Sequence, residues 1–427
     1  MRNTIFCLLI MCSGIVISQS QRAELIRIMA SPVSENYQYE VGERADFNVA
    51  IYKYGKLLED VTINYTIGEE QMDPKITSSK TLKDGTAIIK GIKMNQPGFV
   101  RLEVSVTEMG ETFSNTATAG IAVDKIKTFT KDPEDFDRFW DKALRDARKV
   151  ELSPLLTRFP ELDNEKNIAY HIRFNHVRDS YIYGILTVPK KEGRFPAVLS
   201  VPGAGVRPYY GTNTKDEVVS LQIGIHGIPV NLYDSDVYEN LKRGALYKYY
   251  WSRMDDRDEY YYKRVYTACV RAIDFIHSLD KFDGENLAVT GGSQGGALTI
   301  VTAALDDRVD AIAAYYPALS DLEGFINGRA GGWPRLFEKN FDFTEQKQEV
   351  ARYYDVVNFA RRLKIPGYYA YGYNDNVCPA SSIAAMLNEV ESEKEVIVAY
   401  DAAHWMYPEI KRKGKKWLFN YINVAGY

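Results

Sequence analysis

The N-terminal quarter of the chain contains short stretches in which apolar and polar residues alternate. Apolar side chains occupy every second position in Phe47–Ile51, Val61–Ile67 and Phe99–Val106, and turn-forming pairs such as Asp84-Gly85 separate these runs. A period of two places the apolar side chains on one face of a strand. Six or seven short strands at this spacing predict a small all-β, immunoglobulin-like sandwich domain over residues 21–125.

The pattern changes to helical spacing after residue 126, where we place the domain boundary. Apolar residues from Phe136 to Ala147 recur three and four positions apart, and Asp132 with Pro133 is predicted to begin that helix. Strand-like runs then alternate with helical runs. The strand-like runs are Ile182–Val188, Ala197–Val201, Val218–Ile225, Ala311–Tyr315 and the segments around Tyr369 and Val396, and the last predicted helix is Trp417–Val424. This alternation predicts one α/β domain over residues 126–427, with a mostly parallel sheet covered by helices on both faces.

The first 20 residues differ from the rest of the chain. Arg2 precedes the apolar run Ile5–Ile17, which is too short to span a bilayer as a helix, and the small residues Ser18 and Ser20 follow it. This pattern is typical of a signal peptide. We therefore expect residues 1–20 to be removed and the protein to be exported, to the periplasm or the extracellular space, without stable membrane insertion.

Composition excludes several classes of partner and cofactor. The 427 residues carry a formal net charge of −4, which gives no basic footprint for nucleic acid or anionic membranes. Only Cys269 and Cys378 lie outside the leader, so a disulfide framework is not expected. Because H-E-x-x-H, paired C-x-x-C and G-x-x-x-x-G-K-[ST] are all missing from the sequence, we predict no metal ion and no cofactor.

A strand-like run at residues 287–292 ends in glycines, and a helical run begins at Ala297. Gly291-x-Ser293-x-Gly295 lies between them and matches the G-x-S-x-G turn, in which the serine stands between a strand and a helix. Glycine is favoured at the flanking positions because a side chain would collide with one of the two elements. Ser293 is therefore the candidate nucleophile, and its context predicts the α/β-hydrolase fold.

In this fold an acid and then a histidine follow the nucleophile along the chain. His404 is the only histidine after Ser293, which makes it the candidate general base. Asp375 follows a predicted strand and is the candidate acid that orients the histidine and stabilises its charged form. Three other aspartates in the same interval remain competitors: Asp321, Asp355 and Asp401. Asp355 precedes a helical run, so we expect it to cap a helix.

Acyl transfer also needs two N–H donors for the negatively charged oxygen of the tetrahedral intermediate. The backbone N–H of Gln294 is the first candidate because it directly follows the nucleophile. The loop Val201-Pro202-Gly203-Ala204-Gly205 follows an early strand, and its small residues allow the backbone to approach a substrate. The N–H of Ala204 is therefore the candidate second donor.

Several motifs between residues 132 and 424 resemble one known family. They are Asp135-Phe136-Asp137-x-Phe139-Trp140, Tyr260-Tyr261-Tyr262-Lys263-Arg264-Val265-Tyr266, Gly292-Ser293-Gln294-Gly295-Gly296 and Asp375-Asn376-Val377-Cys378-Pro379. The family is that of the acetyl xylan esterases and cephalosporin-C deacetylases, carbohydrate esterase family seven. The resemblance implies an α/β-hydrolase that removes acetyl groups from xylo-oligosaccharides and similar esters, with Ser293, Asp375 and His404 as its triad. It also implies a homo-oligomer.

The chain departs from the family pattern at three places. The early oxyanion loop typically reads His-Gly-Tyr-x-Gly but here is Pro202-Gly203-Ala204-Gly205, and His226-Gly227-Ile228 replaces an Arg-Gly-Gln motif. Trp405 takes the place of the Glu that usually follows the histidine. These departures bear on the acyl pocket, on the exact substrate and on the oligomer.

The leading functional hypothesis is thus a serine carboxylesterase acting on acetylated oligo- or polysaccharides. The inserted segments 206–260 and 320–350 are rich in aromatic residues, of which we expect two or three to touch a sugar. Two alternatives stay open: a serine peptidase of the same fold, and a polysaccharide-binding protein with an inert hydrolase domain. Because residues 21–125 show no candidate chemistry, a chain beginning near Ile126 is expected to keep its activity on small esters.

Overall fold

The computed structural model describes residues 25–212, 216–339 and 341–427, so the predicted signal peptide lies outside the described residues. Nine strands precede the first α-helix: β1 Ile26–Pro32, β2 Gln38–Tyr39, β3 Phe47–Lys53, β4 Lys56–Leu57, β5 Val61–Glu69, β6 Ile76–Leu82, β7 Thr86–Ile89, β8 Gly98–Glu108 and β9 Glu111–Ile121. The three strands predicted from alternation are β3, β5 and β8, and each is two or three residues longer than predicted. The N-terminal region is therefore all-β.

These strands form two sheets that face each other. One sheet has the order β1-β3-β4, with β7 also paired to β3, and the other has the order β2-β9-β8-β5-β6. A single apolar core between them combines side chains of both sheets, including Phe47 and Ile51 from the first with Ile63 and Leu102 from the second. Immunoglobulin-like topology and the domain boundary near residue 126 stay predictions.

The remaining nine strands form one sheet with the order β10-β11-β12-β14-β13-β15-β16-β17-β18. Their bounds are β10 Leu155–Arg158, β11 Asn167–His176, β12 Ser180–Pro189, β13 Phe195–Ser200, β14 Val219–Ile223, β15 Phe282–Gly292, β16 Ala311–Tyr315, β17 Gly367–Gly372 and β18 Lys394–Ala399. The pairs from β14 to β18 are parallel, whereas β10, β11, β12 and β14 pair antiparallel. The sheet is therefore mixed and mostly parallel, and the strands β10 and β11 were not predicted.

Helices cover both faces of this sheet. They are α1 Phe136–Arg148, α2 Val237–Arg243, α3 Tyr261–His277, α4 Gln294–Leu305, α5 Glu345–Tyr354, α6 Val356–Ala360, α7 Ala380–Asn388 and α8 Pro408–Tyr421. Leu199 and Val289 face the core that contains α3 and α4, while their neighbours Val198 and Ala288 face the core that contains α8. Successive residues of each central strand are thus buried on opposite faces of the sheet, as expected where helices cover both faces.

Two predicted helix starts were wrong. The first helix begins at Phe136 with Asp135 at its N-cap, and Asp132 instead pairs with Arg362 at 3.1 Å. The last helix begins at Pro408, nine residues before the predicted start at Trp417. Proline at the first helical position lacks the N–H that would be unpaired there, which explains this start.

An aromatic cluster joins α1 to the helices beside it. Trp140 is 1% exposed, its Nε1–H donates to the carbonyl of Tyr353 at 3.1 Å, and its ring contacts the rings of Tyr266, Tyr354 and Phe359. The indole therefore fills the space between α1, α3, α5 and α6, and it satisfies one of the C-terminal carbonyls of α5.

Trp140→Ala should destabilise the protein by roughly 3–5 kcal/mol, because it removes apolar contacts, leaves a cavity and breaks one hydrogen bond. Denaturant or thermal unfolding measures this loss. Phe343→Ala, at a side chain that is 45% exposed, is the control and should change stability by about 0.5 kcal/mol or less. Equal effects of the two substitutions would contradict the role of Trp140 in the core.

Candidate functional site

A sharp turn joins β15 to α4, and Ser293 occupies it. The backbone of Ser293 has φ 60° and ψ −125°, outside the regions that non-glycine residues favour. Its N–H donates to the carbonyl of Tyr315 at 2.9 Å, and its carbonyl accepts from Ala297 and Ala318 at 3.1 Å each. Hydrogen bonds to two neighbouring segments therefore hold the serine in this conformation.

The glycines of the motif allow α4 to approach the end of β13. A Cβ on Gly295 would lie 2.4 Å from the carbonyl oxygen of Val201, and one on Gly291 would lie 2.7 Å from the same oxygen. Backbone atoms cannot move aside as a flexible side chain can, so any larger residue would separate the strand from the helix. The G-x-S-x-G spacing thus follows from the close packing of β13, β15 and α4.

The structure brings the predicted serine, histidine and aspartate together. His404 Nε2 lies 2.9 Å from Ser293 Oγ, and His404 Nδ1 lies 2.8 Å from Asp375 Oδ2. The other carboxylate oxygen of Asp375 accepts from the backbone N–H groups of Val377 and Cys378 at 2.8 and 2.9 Å. Asp375 is fully buried, while the side chain of His404 is 25% exposed. A carboxylate can only accept, so the geometry favours a proton on Nδ1 and a free Nε2 facing the serine.

The competing aspartates have other partners. Asp355 accepts from the N–H of Val357 and so caps α6, as predicted. Asp321 pairs with Arg329, and Asp401 accepts from the hydroxyl of Tyr407 at 2.6 Å. None of these three carboxylates is hydrogen-bonded to the histidine.

The two cysteines of the described chain are buried thiols. Burial raises the pKa of the Cys378 thiol well above its ordinary value, and the nearby Asp375 carboxylate raises it further. Burial likewise raises the pKa of Cys269 to about 12. Because the thiolate is the reactive form, neither cysteine is suited to act as a nucleophile near neutral pH.

The loop Val201–Gly205 lies against the serine turn. A Cβ on Gly203 would be 4.0 Å from the Cβ of Ser293 and 3.3 Å from the carbonyl of Gly292. Among the described residues, no acceptor is hydrogen-bonded to the backbone N–H of Gln294 or of Ala204. Both predicted donors belong to segments beside Ser293, and their role as donors to the negatively charged oxygen stays a prediction.

The side chain of Gln294 is buried and connects the turn to this loop. Its Nε2 donates to the carbonyl of Pro202 at 3.2 Å, and its Oε1 accepts from the hydroxyls of Tyr249 and Tyr262 at 2.7 and 2.9 Å. The side chain thus fixes the relative position of the two segments that carry the candidate N–H donors. Tyr262 lies in a motif of the family resemblance, and Tyr249 is one of the aromatic residues of the inserted segments, but nothing in the sequence indicated that either would bind Gln294.

His226, which replaces the arginine of the family motif, supports the same loop. Its Nε2 lies 3.0 Å from the carbonyl of Gly205, and its Nδ1 lies 2.7 Å from the hydroxyl of Tyr261. Burial lowers the pKa of His226 to about 4, so the imidazole is neutral near pH 7. A single histidine carries no sequence signal for this role, and it was not predicted.

The aromatic residues of the inserted segments have different surroundings. Tyr209 and Tyr249 are buried, whereas Tyr210 and Tyr247 are exposed.

The backbone at Trp333 lies close to the serine turn. Ala318 donates its N–H to the carbonyl of Ser293, and the next residue, Leu319, donates its N–H to the carbonyl of Trp333 at 2.8 Å. Next to the histidine, the ring of Tyr316 packs 4.9 Å from the His404 ring, and Trp405 is 44% exposed. Trp333 and Trp405 are thus the tryptophans beside the site.

No group of three or more His, Cys, Asp or Glu side chains in residues 25–212, 216–339 and 341–427 is arranged to hold a metal ion. Over the same residues, no helix is long and apolar enough to cross a bilayer.

Comparison with known proteins identifies the family. The sequence model described as acetyl xylan esterase (AXE1) matches residues 117–421. Acetyl esterase Axe7A of Xylanibacter ruminicola is 37% identical over 421 residues, which cover 97% of this chain and 94% of that protein. Its match therefore extends through most of the N-terminal β region.

Two solved structures show the same α/β-hydrolase fold. Acetyl xylan esterase 1 from a Thermoanaerobacterium species is 22% identical with a TM-score of 0.60, and covers 70% of this chain and 97% of its own. An acetyl xylan esterase from a Paenibacillus species is 26% identical with a TM-score of 0.61, and covers 70% of this chain and 98% of its own. With its characteristic serine turn and its match over residues 117–421, the chain belongs to the acetyl xylan esterase family of carboxylic ester hydrolases.

Proposed function

We propose that this protein is a serine carboxylesterase that removes O-acetyl groups from acetylated carbohydrates such as xylan and xylo-oligosaccharides. The observation that carries the proposal is the hydrogen-bonded series from Ser293 Oγ through His404 to the buried carboxylate of Asp375, at 2.9 and 2.8 Å. The strained serine backbone and the free N–H groups beside it support the same reaction. We further propose that the enzyme is exported, as its N-terminal pattern indicates.

In the first half of the reaction, Ser293 Oγ attacks the carbonyl carbon of the acetyl group while its proton passes to His404 Nε2. Asp375 holds Nδ1 and stabilises the imidazolium that forms. The tetrahedral intermediate collapses, the sugar oxygen leaves with the proton from Nε2, and the acetyl group remains on Ser293. In the second half, a water molecule gives a proton to Nε2 while its oxygen attacks this ester. The second tetrahedral intermediate then collapses, the bond between Oγ and the acyl carbon breaks, Ser293 Oγ takes the proton back from Nε2, and acetic acid leaves and ionises to acetate.

The negatively charged oxygen of both intermediates needs fixed donors. The N–H of Gln294 lies at the start of α4, where the helix dipole also favours negative charge. The N–H of Ala204 is the second donor that we assign, because its loop is held beside Ser293 by Gln294 and His226. Both donors are backbone groups, so they need no reorganisation as charge develops.

The acetyl specificity and the carbohydrate substrate come from the relatives. Axe7A is named as an acetyl esterase, and both solved relatives are named as acetyl xylan esterases. Exposed aromatic rings such as Trp405 offer the flat apolar contact that the C–H face of a sugar ring requires.

Ser293→Ala should abolish turnover without unfolding the protein, because only one hydroxyl is lost. A serine-directed fluorophosphonate should label the wild-type chain once, at Ser293, as peptide mass spectrometry would show. Ser278→Ala is a control, since that hydroxyl only donates to the carbonyl of Phe275 at the end of α3. Retention of a tenth of the wild-type activity by Ser293→Ala would exclude this serine as the nucleophile.

Asp375→Asn should lower kcat by up to about 10⁴-fold, the loss seen when the equivalent aspartate of another triad was replaced. An amide can present its NH₂ group to Nδ1 and so favour the wrong tautomer. Asp401→Asn should have little effect because this exposed carboxylate accepts a hydrogen bond from Tyr407 and, among the described residues, none from His404. If Asp375→Asn were fully active while Asp401→Asn or Asp355→Asn lost most of its activity, another aspartate would be the acid of the triad.

The substrate is tested by kcat/KM on 4-nitrophenyl acetate and butyrate, and on acetylated xylobiose beside a proline dipeptide anilide. We expect acetate to be preferred over butyrate by at least about tenfold, because a closed acyl pocket discriminates modestly against extra methylenes. Acetylated xylobiose should be hydrolysed faster than the anilide. Preference for the anilide would indicate a peptidase, and preference for butyrate a general carboxylesterase.

A further inference from the structure

A buried ion pair of the N-terminal β region lies against the loop that carries Asp375. Arg101 of β8 and Glu70, which follows β5, are 6% and 2% exposed and lie 2.9 Å apart. Arg101 Nε also donates to the hydroxyl of Thr118 on β9 at 3.1 Å. Both charged side chains therefore start from the β region, and neither reaches solvent.

The guanidinium of Arg101 binds the backbone of the acid loop, the segment 373–379 between β17 and α7 that carries Asp375. Its Nη2 donates to the carbonyls of Tyr373 at 3.0 Å and of Asp375 itself at 3.1 Å. The side-chain amide of Gln71 donates to the same Asp375 carbonyl at 3.1 Å. Two side chains of the β region thus fix the carbonyl of the residue whose carboxylate holds His404.

Glu70 binds the other end of this loop. Its two carboxylate oxygens accept from the backbone N–H groups of Ala380 and Ser381, each at 2.9 Å. These are the first two residues of α7, where the helix has unpaired N–H groups and a positive dipole end. Arg101 and Glu70 together clamp the segment 373–381 at both ends.

The same face of the β region contacts the base loop, the segment 400–407 between β18 and α8 that carries His404. Asn374 donates through its side-chain Nδ2 to the carbonyls of Thr116 on β9 and of Asp401, at 2.8 and 3.3 Å. Tyr37 stacks on Tyr400 with ring centroids 4.5 Å apart. The acid loop and the base loop are therefore both tied to the β region.

Stability alone gives no reason for burying this ion pair, because the desolvation of two charges commonly offsets their attraction. Here each charge also makes two hydrogen bonds to the backbone around Asp375. We propose that Glu70 and Arg101 are positioning residues that hold Asp375 in the geometry needed to orient His404, a role that rests on the proposed esterase function. The β region is then part of the catalytic apparatus, contrary to the expectation of a dispensable spacer.

The test compares Glu70→Gln, Arg101→Met and the double variant with the wild-type chain, in full length. Each single variant should lower kcat on 4-nitrophenyl acetate between about tenfold and 10²-fold, the loss expected for a displacement near 1 Å. KM should change little, because neither residue lies at the acyl or sugar position. The rate constant for fluorophosphonate labelling of Ser293 should fall by the same factor, since it reports activation of the serine without turnover.

Stability and activity should separate in the double variant. Each single variant leaves one buried charge unpaired and so lowers Tm, whereas the double variant removes both charges and should recover part of that loss. Its kcat should stay low because the donors to Tyr373 and Asp375 are still missing. Arg101→Lys keeps the charge and N–H donors on one nitrogen, so it should retain more activity than Arg101→Met.

Ile63→Ala is the matched control, because Ile63 is fully buried in the core of the same β region and is not hydrogen-bonded to the acid loop. It should lower Tm but keep wild-type kcat and labelling rate at temperatures well below Tm. If Arg101→Met does not fold, Gln71→Leu removes one donor to the Asp375 carbonyl without unpairing a charge, and should lower kcat several-fold.

Folded variants of Glu70, Arg101 and Gln71 with wild-type kcat and labelling rate would overturn the positioning role. So would an Ile63→Ala variant that loses activity to the same extent, because the effect would then follow from stability alone. Failure of the proposed function looks different: the wild-type protein itself would release no acetate from esters. The two failures can therefore be told apart in one set of assays.

Discussion

The geometry of the site depends on the close approach of α4 to the end of β13. Gly291 and Gly295 would each place a Cβ less than 3 Å from the carbonyl of Val201, so only glycine allows this contact. At this contact the chain turns from strand to helix within one residue, Ser293, whose φ is 60°. The acid and base loops follow β17 and β18, whose carboxyl ends lie at the same edge of the sheet as the end of β15. Parallel pairing thus brings Ser293, Asp375 and His404, which are far apart in sequence, to the same edge of the sheet.

Much of this arrangement could be predicted because its signals are local. The G-x-S-x-G pattern reflects a steric constraint between neighbouring elements. His404 was the one candidate base because no other histidine follows Ser293 in the sequence. Strands such as β3, β5 and β8 were found because each buries one face. The strand β10 was missed because all four of its residues, Leu155–Arg158, are exposed, which leaves no alternation to detect.

Other parts of the site could not be predicted because their partners are distant in sequence. Glu70 and Arg101 lie about 300 and 270 residues before the backbone atoms that they bind, and charged residues on or beside a strand usually face solvent. His226 gives no pattern at all, yet it meets Gly205 only because β14 lies beside β13 in the sheet. Which residues support a loop is decided by tertiary packing, and a single sequence carries no trace of that packing.

The residues that hold the acid loop lie partly outside the range of the family model. The family model matches residues 117–421, a range that contains Ser293, Asp375 and His404 but neither Glu70 nor Arg101. The range of the family model therefore contains the proposed triad, while part of what holds Asp375 lies outside that range. In this chain a buried carboxylate needs fixed neighbours, since His404 can be oriented only by an oxygen that does not itself move. The β region supplies those neighbours at the cost of burying two further charges, and its hydrogen bonds to the loop backbone compensate that cost. The proposed positioning role thus places the support of one triad member, Asp375, in a region that the family model does not match.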